Sequence, residues 1–120
     1  MGSPVPRLCE ADPVTILSGQ SLSASFNLGG RIIAGAFVPS AWTAAVVTFQ
    51  ASWDNVTFSD VQTAAGAEYS LTATAGKYLA ADPVMFYGVN FVKVRSGTSA
   101  APVNQAADRS VVLMTGVPDQ

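Results

Sequence analysis

The carboxylate side chains are the first candidates for chemistry, because the chain has 8 Asp and Glu residues and no histidine. Asp54 and Asp60 flank a predicted hairpin turn, and a glycosidase needs two carboxylates on either side of one bond. Their oxygens, together with that of Asn55, are also a candidate calcium site. The dense Asp/Asn/Gly spacing of a dedicated calcium loop is missing, however. We therefore interpret Asp54 as a turn residue and Asp60 as an exposed strand charge, and we predict no catalytic residue and no metal.

Aromatic side chains are the second kind of candidate, because an exposed ring offers an apolar face with a polar edge. Trp42 lies in a predicted loop and Tyr87 precedes a glycine, so these two residues are the candidate glycan contacts of a carbohydrate-binding module. Trp53 shares one face of a predicted strand with Phe49. We therefore expect Trp53 to lie in the core.

The composition argues against several other kinds of site. With no histidine and 1 cysteine, the chain cannot form a Ser-His-Asp arrangement or a His/Cys zinc site. A net charge of −2 argues against nucleic-acid binding, which needs a basic patch. Cys9 has no partner in the chain, so we expect a free thiol, with a disulfide to a second chain as the alternative. Residues 32–53 are uncharged but alternate with a period near two, so we predict no membrane span.

The elements that must position these residues are short strands separated by turns. Residues 21–28 alternate between apolar and small polar side chains, as a half-buried strand does. Residues 82–86 begin with Asp-Pro, which favours one helical turn. About eight such strands predict an all-β fold, an antiparallel β-sandwich resembling a jelly roll. We place this domain at residues 14–116, after an extended N-terminal arm (1–13) and before a short tail (117–120).

Two predicted strands, residues 31–38 and 110–115, carry apolar side chains on both faces. A strand with this pattern is covered on both sides, either by loops of its own chain or by another protein. The low charge, 12% of residues, favours another protein, because interface cores are depleted of charge. We therefore predict a homo-oligomer. The candidate interface residues are Ile32, Ile33, Phe37, Val38, Val111 and Leu113.

Several segments resemble small proteins encoded in tailed bacteriophages and prophages. The resemblance rests on residues 41–45 (AWTAA), 48–52 (TFQAS), 76–80 (GKYLA) and 92–105 (VKVRSGTSAAPVNQ), and it extends over about residues 14–115. It implies a structural component of the virion with a β-sandwich fold, either a head decoration protein or a fibre base. Its partners would then be other virion proteins, such as the major capsid protein or a neck or tail protein.

The residues and the resemblance together predict a non-enzymatic structural protein of a phage virion, assembled in the bacterial cytoplasm. It would bind copies of itself and neighbouring virion proteins through apolar strand faces and its N-terminal arm, with no cofactor, nucleic acid or membrane. The alternative is a carbohydrate-binding module used for attachment to the host surface. A hydrolase that uses Asp54 and Asp60 is the third hypothesis.

Overall fold

Two antiparallel sheets pack face to face in the computed structural model, which describes residues 9–117. The four-stranded sheet has the order β1-β9-β3-β7 and contains β1 (Cys9–Ile16), β3 (Ile32–Phe37), β7 (Tyr78–Ala80) and β9 (Arg109–Gly116). The five-stranded sheet has the order β2-β8-β4-β5, with β6 also paired to β4. It contains β2 (Phe26–Asn27), β4 (Val47–Ser52), β5 (Ser59–Asp60), β6 (Ser70–Leu71) and β8 (Phe91–Ser96). This order is that of a jelly roll, so the predicted fold class is confirmed.

The core lies between the two sheets and is filled by alternate residues of their strands. The four-stranded sheet contributes Ile16 and Ile33, and the five-stranded sheet contributes Phe49 and Val94. All four side chains are buried, and full burial of such a side chain stabilises the fold by about 1.5–3 kcal/mol. The strand alternation seen in the sequence therefore reflects one covered face per sheet.

One short 3₁₀ turn, Pro83–Phe86, closes an end of the sandwich. The Asp82 side chain accepts a hydrogen bond from the backbone N–H of Val84 at 3.1 Å, and the proline that follows Asp82 has a backbone suited to a helix start. The Phe86 ring then packs edge-on against Phe49, with 5.1 Å between the ring centroids. The helical turn predicted at 82–86 is confirmed. Within residues 9–117, no helix is long and apolar enough to cross a membrane.

The start of the chain differs from the sequence prediction. Residues from Cys9 to Pro13, predicted as part of an extended arm, belong to strand β1 and pair with β9. Their short apolar pattern is broken by Glu10 and Asp12, which concealed the strand. The rest of the predicted arm, residues 1–8, lies outside the described residues. In the predicted strand 21–28, only Phe26–Asn27 pairs regularly, while Leu22 forms a single bridge to β8.

Candidate functional site: the outer face of the four-stranded sheet

The side of the four-stranded sheet that points away from the core is built from alternate residues of its strands. In β9, Val111 and Leu113 point into the core, so Val112 points outward. The strand register places Val112 between Pro13 of β1 and Phe37 of β3. We call this surface the outer face. It comprises Cys9, Ala11, Pro13, Thr15, Ile32, Gly35, Phe37, Tyr78, Ala80, Ser110, Val112, Met114 and Gly116.

Two aromatic rings stand in the outer face and are held there by local packing. Phe37 and Tyr78 are register partners whose ring centroids are 4.7 Å apart, and each residue is 46% exposed. The Tyr78 hydroxyl donates a hydrogen bond to the carbonyl of Ala34 at 3.3 Å, which brings the ring across Gly35. A Cβ atom on Gly35 would lie 2.1 Å from that hydroxyl, so only glycine fits beneath the ring. The outer face therefore presents a fixed aromatic surface to solvent.

No charged side chain belongs to the outer face as defined. Glu10 and Asp12 alternate to the other side of β1, where both form ion pairs with Arg31. Asp12 also accepts a hydrogen bond from the Thr115 hydroxyl at 2.8 Å. These charges thus satisfy one another beside the core, and a surface that covered the outer face would bury no strand charge there.

The structure corrects the predicted interface residues. Four of the six are buried within the core of this chain: Ile33, Val38, Val111 and Leu113. The prediction is wrong for these four, because the five-stranded sheet already covers the side of β3 and β9 from which they project. Ile32 is half-buried and Phe37 is exposed, and both belong to the outer face. Val112 and Met114 were missed, although they alternate with the residues that the sequence suggested.

The opposite surface, the outer side of the five-stranded sheet, is polar. Thr48 and Gln50 of β4 lie beside Arg95 and Lys93 of β8 on this side. The Lys93 ammonium lies 4.4 Å from the centroid of the Phe58 ring, which covers it in part. The two outer surfaces of the sandwich therefore differ in chemistry, and only that of the four-stranded sheet has the composition of a buried interface.

Arg95 is charged and lies on the outer side of β8, yet it is buried. Strand β8 lies between β2 and β4, and the guanidinium is covered by the segments that carry its partners. It donates hydrogen bonds to Asp60 at 2.8 Å, to Glu68 at 2.6 Å and to the Thr48 hydroxyl at 3.0 Å. Glu68 in turn accepts the backbone N–H of Ser99 at 3.1 Å. This buried cluster holds the segment around Glu68 and the loop around Ser99 against the sheet.

The two carboxylates proposed for catalysis have separate structural contacts. Asp54 accepts the backbone N–H groups of Thr57 and Val56, each at 2.9 Å, and these bonds lower its pKa. The hydrogen bond from Arg95 lowers the pKa of Asp60. A lowered pKa keeps both groups ionised at neutral pH, whereas a glycosidase needs one of its pair as a proton donor. Asp54 therefore stabilises a turn, and Asp60 forms an ion pair with Arg95.

The two predicted glycan contacts are placed in different environments. Trp42 is only 6% exposed, and its indole N–H donates to the carbonyl of Ala45 at 3.0 Å. Trp42 is therefore a structural residue, and the prediction of a glycan contact there is wrong. Tyr87 is exposed, at 55%. Trp53, which we expected in the core, is 66% exposed because β4 ends at Ser52 and the tryptophan leaves the sheet.

Gln105, in the segment that carries much of the resemblance, has a structural role that the sequence did not reveal. Its side chain is buried and accepts the backbone N–H of Thr43 at 2.8 Å. Its amide nitrogen donates to the carbonyl of Thr43 at 3.1 Å and to the Ser96 hydroxyl at 2.7 Å. The segment 97–107, which contains no charged residue, is therefore held to the loop that contains Trp42.

The remaining candidates from the sequence are the Cys9 thiol and a metal site. Cys9 is an exposed free thiol at the start of β1, and its disulfide to a second chain stays a prediction. In the described part of the chain, no group of three or more His, Cys, Asp or Glu residues is placed to hold a metal ion.

Comparison of the chain with protein-family models, with curated proteins and with solved structures finds no match.

Proposed function

We propose that this protein is a non-enzymatic assembly subunit of a tailed-phage virion that associates with its own copies through the outer face. The observation that carries the self-association is the outer face itself, which exposes Phe37 and Tyr78 and has no charge. An exposed, contiguous apolar patch with a polar surround is typical of a protein interaction site. Because the outer side of the five-stranded sheet is polar, the proposed contact uses the outer face of the four-stranded sheet and not the opposite surface.

A second copy of the chain is the occupant that fits the outer face best. An uncharged surface gains nothing from a charged partner, and a symmetric pair brings two identical uncharged surfaces together. Two sheets pack face to face about 10 Å apart when both inner surfaces are apolar, as they do within this sandwich. The Phe37 and Tyr78 rings are the anchors of that contact, since aromatic residues dominate the energetics of interfaces.

Association through the sheet edges is less favourable than association through the outer face. Strand β1 forms one edge of the four-stranded sheet and contains Pro13, which has no N–H to offer to a neighbouring strand. The other edge, β7, has only three residues. Short edges and proline are common protections against edge-to-edge pairing. We therefore assign the contact to the face of the sheet.

The size of the outer face determines how strong one contact is. Four strands about 4.8 Å apart, with five residues of about 3.4 Å each, cover roughly 300 Å². Stable interfaces bury about 800 Å² on each partner, so a single contact of this size is weak. Repeated contacts on a surface raise the effective concentration of each subunit and compensate for this weakness. A decoration protein or a fibre base has that kind of repeated arrangement.

A charge placed in the outer face tests the self-association. We expect the molar mass from multi-angle light scattering to rise with concentration for the native chain and to stay at that of a monomer for Val112→Asp. Val56→Asp is the matched control, because Val56 is 82% exposed and lies outside the outer face. Circular dichroism verifies that both variants fold. A native chain that is monomeric throughout, or a Val112→Asp chain that associates equally well, refutes the proposal.

The virion location rests on the resemblance of residues 41–45, 48–52, 76–80 and 92–105 to small phage proteins. Its test is mass spectrometry of purified particles from the host that encodes the chain, followed by electron microscopy. We expect the protein in many copies per particle, and the density then distinguishes a head position from a fibre base. A chain that is expressed but missing from the particles excludes the virion role, while the self-association is judged separately by light scattering.

A further inference from the structure

A cleft of about 230 Å³ lies beside Trp53, at the end of β4 and away from the outer face. Its walls are formed by Trp53, Ser52, Ser59, Ala51, Gly88 and Val89. We propose that this cleft binds one neutral sugar ring, a pyranose, stacked against the Trp53 indole. This binding site is independent of the proposed self-association, because the cleft belongs to the five-stranded sheet and to the segment after the 3₁₀ turn.

The backbone on both sides of Trp53 is fixed, so the ring is presented to solvent before any ligand binds. The Ser52 hydroxyl oxygen accepts the backbone N–H of Asp54 at 3.2 Å and that of Asn55 at 2.9 Å. The Asn90 side chain donates to the carbonyl of Trp53 at 3.2 Å. An exposed ring on an ordered turn loses little conformational freedom on binding, which favours affinity in a shallow site.

The shape of the cleft fits a single ring. Its volume lies below the range of about 300–1,000 Å³ that accommodates drug-sized ligands. Ala51 and Val89 contribute apolar surface to the lining of the cleft. Gly88 has a φ of +81° and an open surrounding, since a Cβ built there would meet nothing within 4 Å. The absent side chain at Gly88 therefore leaves room in the cleft that Gly88 and Trp53 both line.

The polarity of the cleft fits a neutral ligand with hydroxyl groups. None of the six lining residues is charged, so the cleft offers no opposite charge to a phosphate or a carboxylate. Within residues 9–117, the Trp53 indole N–H and the Ser59 hydroxyl form no hydrogen bond, and both are available to a ligand. A pyranose combines an apolar C–H face with hydroxyl groups at its rim, which is the complement of an indole beside a serine.

The test is a titration followed by ¹H–¹⁵N correlation spectra, with glucose, galactose, mannose and N-acetylglucosamine as probes. The chain has two tryptophans, so the spectrum contains two indole N–H signals, and the Trp53→Ala spectrum assigns them. We expect at least one sugar to shift the Trp53 signal saturably with a dissociation constant of about 1 mM, typical of a small ligand in a shallow site. The buried Trp42 indole signal should stay in place and serves as the internal reference. Glycerol, which has hydroxyl groups but no ring face, should produce no saturable shift.

Substitutions inside and outside the cleft then show where the sugar binds. Trp53→Ala should abolish the shifts of the neighbouring backbone signals, and Ser59→Ala should weaken binding several-fold. Val56→Ala, which removes exposed apolar surface outside the cleft, should leave the affinity unchanged. The absence of a saturable shift with all four sugars, an equal response to glycerol, or binding that survives Trp53→Ala overturns the proposal. Repeating the titration with Val112→Asp separates this result from self-association, since the cleft is intact in that variant.

Discussion

At the scale of single residues, Arg95 shows how this charge-poor chain uses its few charges. The guanidinium lies on the outer side of β8, yet it is buried, because Asp60 and Glu68 reach it from separate segments. Removing one member of a buried ion pair leaves the other uncompensated, which is more costly than replacing the whole pair. The cluster therefore makes the fold depend on the ionisation of carboxylates.

The pH dependence of stability should reveal this cluster. The hydrogen bond from Arg95 lowers the pKa of Asp60 below 3.8 in the folded state, so its stabilising contribution is present above pH 3.8 and disappears as the pH falls through the lowered pKa. We expect Asp60→Asn to be less stable than the native chain at pH 7 and to lose less stability on acidification. Urea unfolding between pH 7 and pH 2.5 measures both. Equal losses in the two proteins would contradict the assignment.

At the scale of elements, the sequence predicts the strands better than it predicts their covered faces. Alternation locates β4, which has one apolar and one polar face. It fails for β9, in which Val111 and Val112 are equally apolar, so only the position of the other sheet decides which of the two enters the core. It also fails at Trp53, which keeps the core-facing parity of Phe49 after the strand itself has ended. Both errors concern which residues are buried by distant parts of the chain, and a local sequence pattern does not reveal that.

The contact between β3 and β7 provides a prediction at this scale. A Cβ atom on Gly35 would lie 2.1 Å from the Tyr78 hydroxyl and 2.6 Å from the carbonyl of Leu79. We expect Gly35→Ala to destabilise the fold by about 1–3 kcal/mol, the usual range for overpacking. Adding Tyr78→Ala should restore part of the loss, because it removes the ring but leaves the Leu79 carbonyl. Urea unfolding of the single and double variants measures the difference, and a Gly35→Ala chain as stable as the native one would contradict the close packing.

At the scale of the whole molecule, contacts between distant segments determine what the sequence alone leaves open. Gln105 joins the segment 97–107 to Thr43, and Ser18 donates its backbone N–H to the Asp108 side chain at 2.8 Å. The uncharged and mostly small residues from 97 to 107 have no local pattern that indicates these bonds, so the sequence alone predicts only a loop there. The outer face likewise exists only after four separate strands have paired. The sequence therefore predicts that an apolar strand face is available for contact, but it does not identify which residues form that face.

Strand β1 tests whether residues 9–13 belong to the folded domain, which the sequence placed at residues 14–116. Strand β1 pairs with β9 from Cys9 to Ile16, and Asp12 binds both Arg31 and Thr115. A chain that begins at Val14 loses five of these eight paired residues and both contacts of Asp12. We expect its thermal midpoint to lie well below that of a chain that begins at Cys9, which keeps the whole strand. If the two chains unfold at the same temperature, residues 9–13 act as an arm and contribute nothing to the sheet.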